Sequence, residues 1–432
     1  MSADKYEVII IGGGVAGLAA AYQLAEAGVE VVLIERGDYA GSKNLSGGIL
    51  YCRIMDKLIP QFWKEAPIER YITNHLTTFM GKEDYFNMEY RGQSLGETPY
   101  NAVSVLRAKF DRWLAEKAEE AGAMIVTGVK VERLLKEEGR VVGISTGDEE
   151  MLADVVIAAD GINSFIARDA GLRPAFELKH LAVGVKALIE LPKDVIEERF
   201  HLTGEEGAAY AILGEATHGV AGGGFLYTNR DSLSIGVVMQ LESLLTEKVK
   251  PAEVLDNLLH HPMVAPLVHG GTMIEYGAHL TGEGGLHMLP PRLYSDGFLI
   301  AGDAAGFLIN SGLVLRGMDL AIASGMAAAS AVMEGKKRGN FGAETLSAYQ
   351  RFLEESYVLK DMKLYSKAPG FMENERLYKS YSLMANKLFN HAYTHDMTPK
   401  EHLLKIAQKS LKESGLSVLD LAKDGFKGVK AI

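Results

Sequence analysis

The segment from residue 6 to residue 35 leaves the chain the least freedom. Residues 6–11 are apolar and β-branched with little alternation, as in a strand covered on both faces. Gly12, Gly13, Gly14, Val15, Ala16 and Gly17 follow at once and fit GxGxxG, with Gly12, Gly14 and Gly17 in its three slots. Gly12 permits the tight turn, Gly14 lets a pyrophosphate approach the backbone, and Gly17 lets helix and strand pack closely. The spacing predicts a helix over 16–27 that turns free N–H groups and a positive dipole end toward phosphates, and Gly28 stops it. A second strand, 29–34, ends at Glu35, 23 residues after Gly12, where a carboxylate can accept from both hydroxyls of an adenosine ribose. Taken together, these features predict an α/β unit that holds an ADP moiety.

Downstream pieces select FAD over NAD. Residues 298–301 form a buried-strand run ending in Gly302-Asp303. An Asp there either reaches a ribityl or ribose hydroxyl or serves only as a helix cap. A helix beginning near Leu313 would aim its N-terminus at the flavin, where a positive end stabilises the anionic reduced form. Leu106-Arg107 precede a predicted helix over 110–121 with Phe110, Leu114 and Ala118 on one face. Arg107 contacts flavin or pyrophosphate on one reading and makes a surface salt bridge on the other. Residues 155–159 are another buried strand, ending in Asp160-Gly161, with Arg168 beyond. Gly222-Gly223-Gly224 lacks the spacing and the acid of a second dinucleotide motif, so a separate NAD domain is not expected.

Composition narrows the function classes. A chain of 432 residues, 47% hydrophobic and 23% charged, is expected to be globular, with two or three structural regions. A net charge of −11 argues against nucleic acid as a partner. The single cysteine, Cys52, excludes a disulfide framework, a CxxC pair and an iron–sulfur cluster held by this chain alone, and is expected to be a packed side chain. His260, His261, His269, His279 and His287 lack metal-ligand spacing, so no metal is expected. No signal peptide is read at the N-terminus. Residues 313–333 come nearest to a membrane span, but Arg316 and Asp319 interrupt them, which makes any membrane contact peripheral.

The order GxGxxG, Glu35, Arg107, Asp160-Gly161, Gly302-Asp303 resembles the flavoprotein group that includes aromatic hydroxylases, geranylgeranyl reductases and the electron-transfer-flavoprotein:quinone oxidoreductases. After Glu35 come Arg36, Gly41, Ser42, Lys43 and Asn44, and residues 35–44 resemble the ERGxxxGSKN segment of the quinone oxidoreductase branch, in particular its shorter Fix-type members. Residues 223–227 and 276–290 resemble that branch's substrate domain. The implied fold is α/β, with a Rossmann-like FAD-binding domain assembled from 1–75, 98–172 and 285–335. An α+β quinone domain would span 76–97 and 173–284. A helical region, 336–432, would meet a partner or the membrane.

The implied cofactor is FAD. The site residues expected around it are Gly12, Gly14, Val15, Ala16, Gly17, Glu35, Arg36, Ser42, Lys43, Asn44, Arg107, Val131, Asp160, Gly161, Gly302, Asp303 and Gly312. No catalytic side chain is implied, because the isoalloxazine carries the redox chemistry. The resemblance implies electrons received from electron transfer flavoprotein subunits and passed to a quinone. Longer members carry a C-terminal four-cysteine cluster, so its absence here implies a separate small ferredoxin-like iron–sulfur protein. The expected location is peripheral, at the cytoplasmic face of the cell membrane.

For the quinone slot the candidates are Gly223, Gly224, Phe225, Gly284, Gly285 and Leu286, whose flat walls and backbone N–H groups suit a ring and its carbonyl oxygens; the alternative is that these glycines serve turns and bulges only. Residues 341–432 read as helices. Within them, 360–389 mix lysines with Tyr365, Tyr378, Tyr381, Met372 and Met384, which reads as a surface for a protein or lipid partner or as a solvated face over an ordinary core. Three other functions remain open on the same scaffold: a geranylgeranyl reductase, an aromatic hydroxylase using NAD(P)H and oxygen, and a non-enzymatic FAD scaffold.

Overall fold

Missing alternation in the first strand has a simple cause. In the computed structural model, which describes residues 5–44, 47–312 and 314–432, Val8, Ile9, Ile10 and Ile11 are buried in the strand Lys5–Ile11 at the centre of a sheet. That sheet runs in the order Tyr294–Ser295, Phe298–Ile300, Glu150–Ala158, Lys5–Ile11, Val31–Ile34, Met124–Val126. A hairpin, Arg133–Glu137 and Arg140–Ser145, joins it at Glu150–Ala158. The central strands are parallel and level: Ile11 lies opposite Ile34 and Ala158, and Ala158 lies opposite Ile300. The loops carrying Gly12, Glu35, Asp160 and Asp303 therefore leave the sheet at one edge, where open α/β sheets bind ligands.

The first helix, Val15–Glu26, is built of small residues so that a second helix can lie against it. Met318–Arg338 does so, and a Cβ on Gly325 would stand 2.1 Å from the Ala16 carbonyl oxygen. This second helix begins at Met318, later than the expected start near Leu313. A short hairpin, Ile309–Asn310 with Leu315–Arg316, comes first, and Leu313 itself lies outside the described residues.

The second sheet runs Thr272–Gly282, Leu181–Glu190, Ser232–Gln240, Gly222–Thr228, Glu206–Gly214, Ile68–Met80, Ala102–Leu106, Gly47–Tyr51. One face packs Leu226, Ile235, Val237 and Met239 with Val254, Leu255 and Leu258 of the helix Pro251–His260. The other face carries Lys186, Phe225 and Tyr227. Residue 75 falls inside the strand Ile68–Met80, and both Gly47–Tyr51 and Ala102–Leu106 pair within the second sheet rather than the first.

The tail is helical, and it is tied to the body. The Tyr357 hydroxyl donates to the Asp319 carbonyl at 3.0 Å, and Arg316 bonds both Asp319 and Asp361 at 2.6 Å. The 360–389 stretch keeps its lysines exposed while part of its aromatic set packs inward, as a solvated face over a core would. Tyr378 is buried with its hydroxyl on the Met372 carbonyl at 2.6 Å, and Tyr381 and Arg376 both bind Asp424. Exposed apolar side chains occur within this stretch, at Leu364 and Leu383, and further on, at Leu403, Leu404, Val418, Leu419, Phe426 and Val429. Among the described residues, no helix is long and apolar enough to cross a membrane. Cys52 is fully buried, and burial pushes its thiol up to about 12.

Candidate cofactor and electron-acceptor site

Glu35 is held at the end of its strand by two backbone donors. The Gly13 N–H bonds Oε2 at 2.7 Å and the Gly37 N–H bonds Oε1 at 2.6 Å. Each oxygen keeps a second lone pair, so the fixed carboxylate can still accept from a pair of vicinal hydroxyls. Beneath it, Val129 donates to the Glu35 carbonyl at 3.1 Å, which brings the buried Val131 to the same end of the sheet. The glycines divide by what surrounds them. Gly12 has φ +108° and a Cβ there would lie 2.3 Å from the Ala159 carbonyl; on Gly17 it would lie 2.1 Å from the Gly12 carbonyl. In front of Gly14 the space is open, with Arg107 Nη2 nearest at 3.9 Å. Open space before the N-cap of the helix Val15–Glu26 is what an anion requires.

Arg107 opens the helix Arg107–Glu120 and grips Asp111 one turn on, with Nε and Nη2 each at 2.7 Å from a carboxylate oxygen. Asn44 donates to the same carboxylate at 2.8 Å. Asp111 thus clamps two candidate residues that the sequence separates by 63 positions. Asp111 was missed, although an acid four residues after an arginine on a helix is a recognisable partner. Gly41, with φ +88°, lets the loop lie on this helix, since a Cβ would stand 2.7 Å from the Arg107 carbonyl. Arg36 and Lys43 are exposed at the rim.

Asp160 and Asp303 face a guanidinium that sequence reasoning also missed. Arg173 is buried and donates from Nη1 to the carbonyls of Asp303 and Ala304. Burial lowers its pKa to about 10, against the pull of Asp160 and Asp303. Burial raises both carboxyls, and Arg173 opposes it at each; Arg107 acts likewise on Asp303. Gly302, at φ +64°, donates to Ser324 Oγ at 2.8 Å, and this contact shapes the turn carrying Asp303. Arg168, the arginine singled out from sequence, instead sits over the Phe165 ring. Gly161 and Gly312 are left-handed turn positions, at φ +76° and +80°.

Four buried polar atoms around this groove have no hydrogen-bond partner among the described residues: Ser42 Oγ, Asp160 Oδ1, and Arg173 Nε and Nη2. Each orphan costs about 1–3 kcal/mol. A ligand rich in hydroxyl and phosphate oxygens would satisfy them. An open helix N-terminus, a fixed carboxylate for vicinal hydroxyls and two guanidiniums flanking an Asp together fit a dinucleotide with a pyrophosphate and a polyol arm.

Beyond Arg107 lies the second sheet. Phe225 and Tyr227 stack at 5.0 Å, and Lys186 Nζ stands 5.6 Å from the Phe225 ring centre. Burial, with Arg107 adding repulsion, lowers the Lys186 amine to about 8. His279 is lowered by burial and by the charges of Lys186, Arg107 and Arg36. Lys186 went unread in the sequence, although a lysine inside an alternating strand run is itself a signal.

The six slot candidates are only partly brought together. Phe225 is on the inner face. A Cβ on Gly224 would instead meet Ile212, Ala216 and Leu258, in the second core. Gly224 and Phe225 are paired on both sides, to Ile212 and Ala211 and to Val237 and Gly236, so their backbone groups belong to the sheet and cannot serve quinone carbonyls. Gly223 pairs with Val238, and a Cβ there would stand 2.9 Å from the Ile212 carbonyl. Gly284, Gly285 and Leu286 form a separate turn. Gly284 is wedged against His180 and Met288, Gly285 is open toward Leu308 and Pro369, and Leu286 packs on the first core.

Comparison with known proteins finds families for both cofactor and acceptor. Residues 5–206 match the FAD binding domain family, 182–281 the ubiquinone-binding domain of ETF-QO, and 368–432 the ETF-QO/FixC family C-terminal domain. The chain is 43% identical to the probable electron transfer flavoprotein-quinone oxidoreductase YdiS of Escherichia coli (strain K12) and 44% identical to protein FixC of Salmonella typhi, over all of each chain. It is 37% identical to protein FixC of Bradyrhizobium diazoefficiens over 95% of both. Among solved structures, a geranylgeranyl bacteriochlorophyll reductase-like protein from Thermoplasma acidophilum matches with a TM-score of 0.72 at 20% identity, covering 98% of this chain and 100% of that one. The flavin-dependent brominase Bmp2 matches with a TM-score of 0.64 at 16% identity, covering 95% and 99%. At such identities the structures share the fold alone.

Proposed function

The chain belongs to the electron transfer flavoprotein–quinone oxidoreductase/FixC family, an FAD-dependent oxidoreductase family, and from that premise we propose that it passes electrons from an electron transfer flavoprotein to a membrane quinone as the FAD subunit of a Fix-type complex. One observation carries this reading: the ubiquinone-binding match coincides with the strands from Leu181–Glu190 to Thr272–Gly282, whose inner face bears the stacked Phe225 and Tyr227 beside Lys186. An apolar, flat wall with one cation suits a quinone ring that gains negative charge.

Bound FAD supplies the redox chemistry; the protein holds and tunes it. In this reading Glu35 accepts from the adenosine ribose, while Gly14, Val15, Ala16 and Gly17 present the helix end to the pyrophosphate, with Gly12 shaping the turn before it. Ser42, Asp160, Gly161, Arg173 and Asp303 hold the polyol and phosphate oxygens. Arg107, kept in place by Asp111 and Asn44, adds positive charge near the ring. Gly302 and Gly312 shape the turns; Arg36, Lys43 and Val131 frame the rim and floor. The quinone slot lies between Phe225 and the Gly285–Leu286 turn.

A four-cysteine cluster cannot be held by a chain with one cysteine, so a small ferredoxin-like iron–sulfur protein is the proposed companion. The complex would sit peripherally at the cytoplasmic face of the membrane. Residues 360–432 carry 13 Lys and Arg against 8 Asp and Glu in a chain of net charge −11, and their exposed Leu419, Phe426 and Val429 alternate with Lys423, Lys427 and Lys430. Such a face suits an anionic lipid layer. The test is native anaerobic purification followed by mixing of the reduced flavoprotein with a menaquinone analogue or with air. Co-purification of both partners, rapid oxidation by quinone and slow oxidation by air are expected. Rapid oxidation by air alone, or only by a prenyl-chain alkene, would overturn the reading.

A further inference from the structure

Reducing a quinone to a quinol consumes two protons with the two electrons: Q + 2e⁻ + 2H⁺ → QH₂. A slot screened from water therefore needs an acid at hand. Glu283 follows directly on the strand Thr272–Gly282, and its backbone N–H donates to the His180 carbonyl at 2.8 Å. Asn310 is close enough to the Glu283 carboxyl to pull its pKa down. The Asn310 Oδ1 already accepts from the Gly312 N–H at 2.9 Å, which leaves the Nδ2 group as the donor. Asn310 lies in the short hairpin that follows Asp303, and Gly284 to Leu286, next in sequence to Glu283, form the turn that the reading above assigns to the quinone slot.

Behind the carboxyl is a cavity of about 20 Å³, lined by Glu283, Asn310, Tyr378, Gln240, Lys179 and Glu373 among others. It has room for about one water. Lys179 and Glu373 bring its wall to solvent. The groups facing Glu283 leave it as the natural proton carrier. Lys179 is ion-paired with Glu177 at 2.9 Å. Tyr378 is raised by burial and its hydroxyl is committed to Met372. Gln240 donates to the Lys179 carbonyl at 3.0 Å and accepts from the Ser243 N–H. His180 and His287 stack on each other at 5.9 Å beside Gly284.

We propose that Glu283 is the proton-loading carboxyl of the quinone site, giving protons to the quinone oxygens and recovering each from water through the cavity at Lys179 and Glu373. The proposal rests on the quinone reading above. For each oxygen the carboxyl O–H bond breaks, a quinol O–H bond forms, and a solvent proton restores the acid before the next transfer; the two electrons come from the reduced flavin. Burial raises this carboxyl to about 7, so acid and base forms coexist at neutral pH, as a donor that must also reload requires.

The test compares wild type, Glu283→Gln and Asn310→Leu, all loaded with FAD, from pH 5.5 to pH 9. The measurements are the rate with a soluble menaquinone analogue, the rate with ferricyanide (which takes an electron without a proton), and FAD content. For Glu283→Gln we expect the ratio of quinone rate to ferricyanide rate to fall at least 10-fold, and the titration near pH 7 to vanish from the profile. Asn310→Leu removes a donor that favours the carboxylate and should move that titration upward. A wild-type ratio and profile in Glu283→Gln, or an unmoved titration in Asn310→Leu, would overturn the relay. Wild type that reduces ferricyanide but no quinone would overturn the quinone reading, and the relay with it.

Discussion

Arg107 and Asp111 are joined by two parallel hydrogen bonds of 2.7 Å one turn apart on the same helix, with Asp111 fully buried. The pair is more than a surface i,i+4 contact, because Asn44 closes on the same carboxylate and fastens the loop after Glu35 to the helix. Asp111→Ala would leave a largely buried guanidinium without its anion and free that loop. Breaking a buried pair costs about 3–5 kcal/mol. We expect a lower melting temperature and at least a tenfold loss of FAD affinity, read by flavin fluorescence; retention of both would refute the clamp.

Glu35→Gln keeps the size of the side chain and exchanges one acceptor for a donor, opposite either Gly13 N–H or Gly37 N–H. Losing a charged acceptor for a buried hydroxyl costs about 1.5–3 kcal/mol. FAD binding should weaken roughly 10- to 100-fold, measured by equilibrium titration of the apoprotein, with quinone affinity of the reloaded protein unchanged.

Lys186→Met removes the cation beside Phe225 and near Arg107. With less positive charge near the site where the reduced flavin becomes anionic, its potential should fall, on the order of 30 mV for a change of about 1.4 kcal/mol in a two-electron couple. Reductive titration against a reference dye reads this directly, and an unchanged potential would place the amine away from the ring.

Glu283 also predicts a pH dependence of stability. Its carboxyl rises on folding from 4.5 to about 7. Over that window the folded chain binds the extra proton more tightly than the unfolded chain, so stability falls as pH rises and the loss is complete above pH 7. Glu283→Gln cannot ionise. It should melt like wild type at pH 4.5 and be more stable at pH 8, by at most about 3 kcal/mol. Equal melting at pH 8 would show that the carboxyl ionises there without cost.

On the lipid side, Lys423, Lys427 and Lys430 replaced together by Glu should abolish flotation with vesicles containing anionic lipid while leaving FAD content unchanged. Each of these lysines is exposed, so stability should change little. Undiminished flotation would overturn the proposed lipid contact of this face.

What could be read in the sequence follows how local each signal is. The GxGxxG turn and Glu35 were legible because strand, turn, helix and acid are contiguous, and Asp160 and Asp303 because each ends an apolar run. Arg173 belongs to no run. It reaches the groove through its bonds to the carbonyls of Asp303 and Ala304, some 130 residues away in sequence. Gly224 was placed on the wrong face because three glycines in a row carry no side-chain alternation that tells one face from the other. The helix start was read five residues early because the four paired residues of the preceding hairpin are too few to show a strand pattern. Whether Tyr378 was surface or core stayed open in the sequence because its partner, the Met372 carbonyl, is a backbone group with no sequence signature.

The order of strands in the first sheet has a consequence for how the protein is made. Lys5–Ile11 must wait for Glu150–Ala158, which in turn must wait for Phe298–Ile300. At about 5–20 residues per second, ribosomal synthesis holds the N-terminal strand without one neighbour for many seconds. Asp303 comes still later, so the cofactor groove cannot close around its ligand on the nascent chain. Flavin supply and chaperone capacity at the moment of release, rather than during elongation, should set the yield of loaded protein.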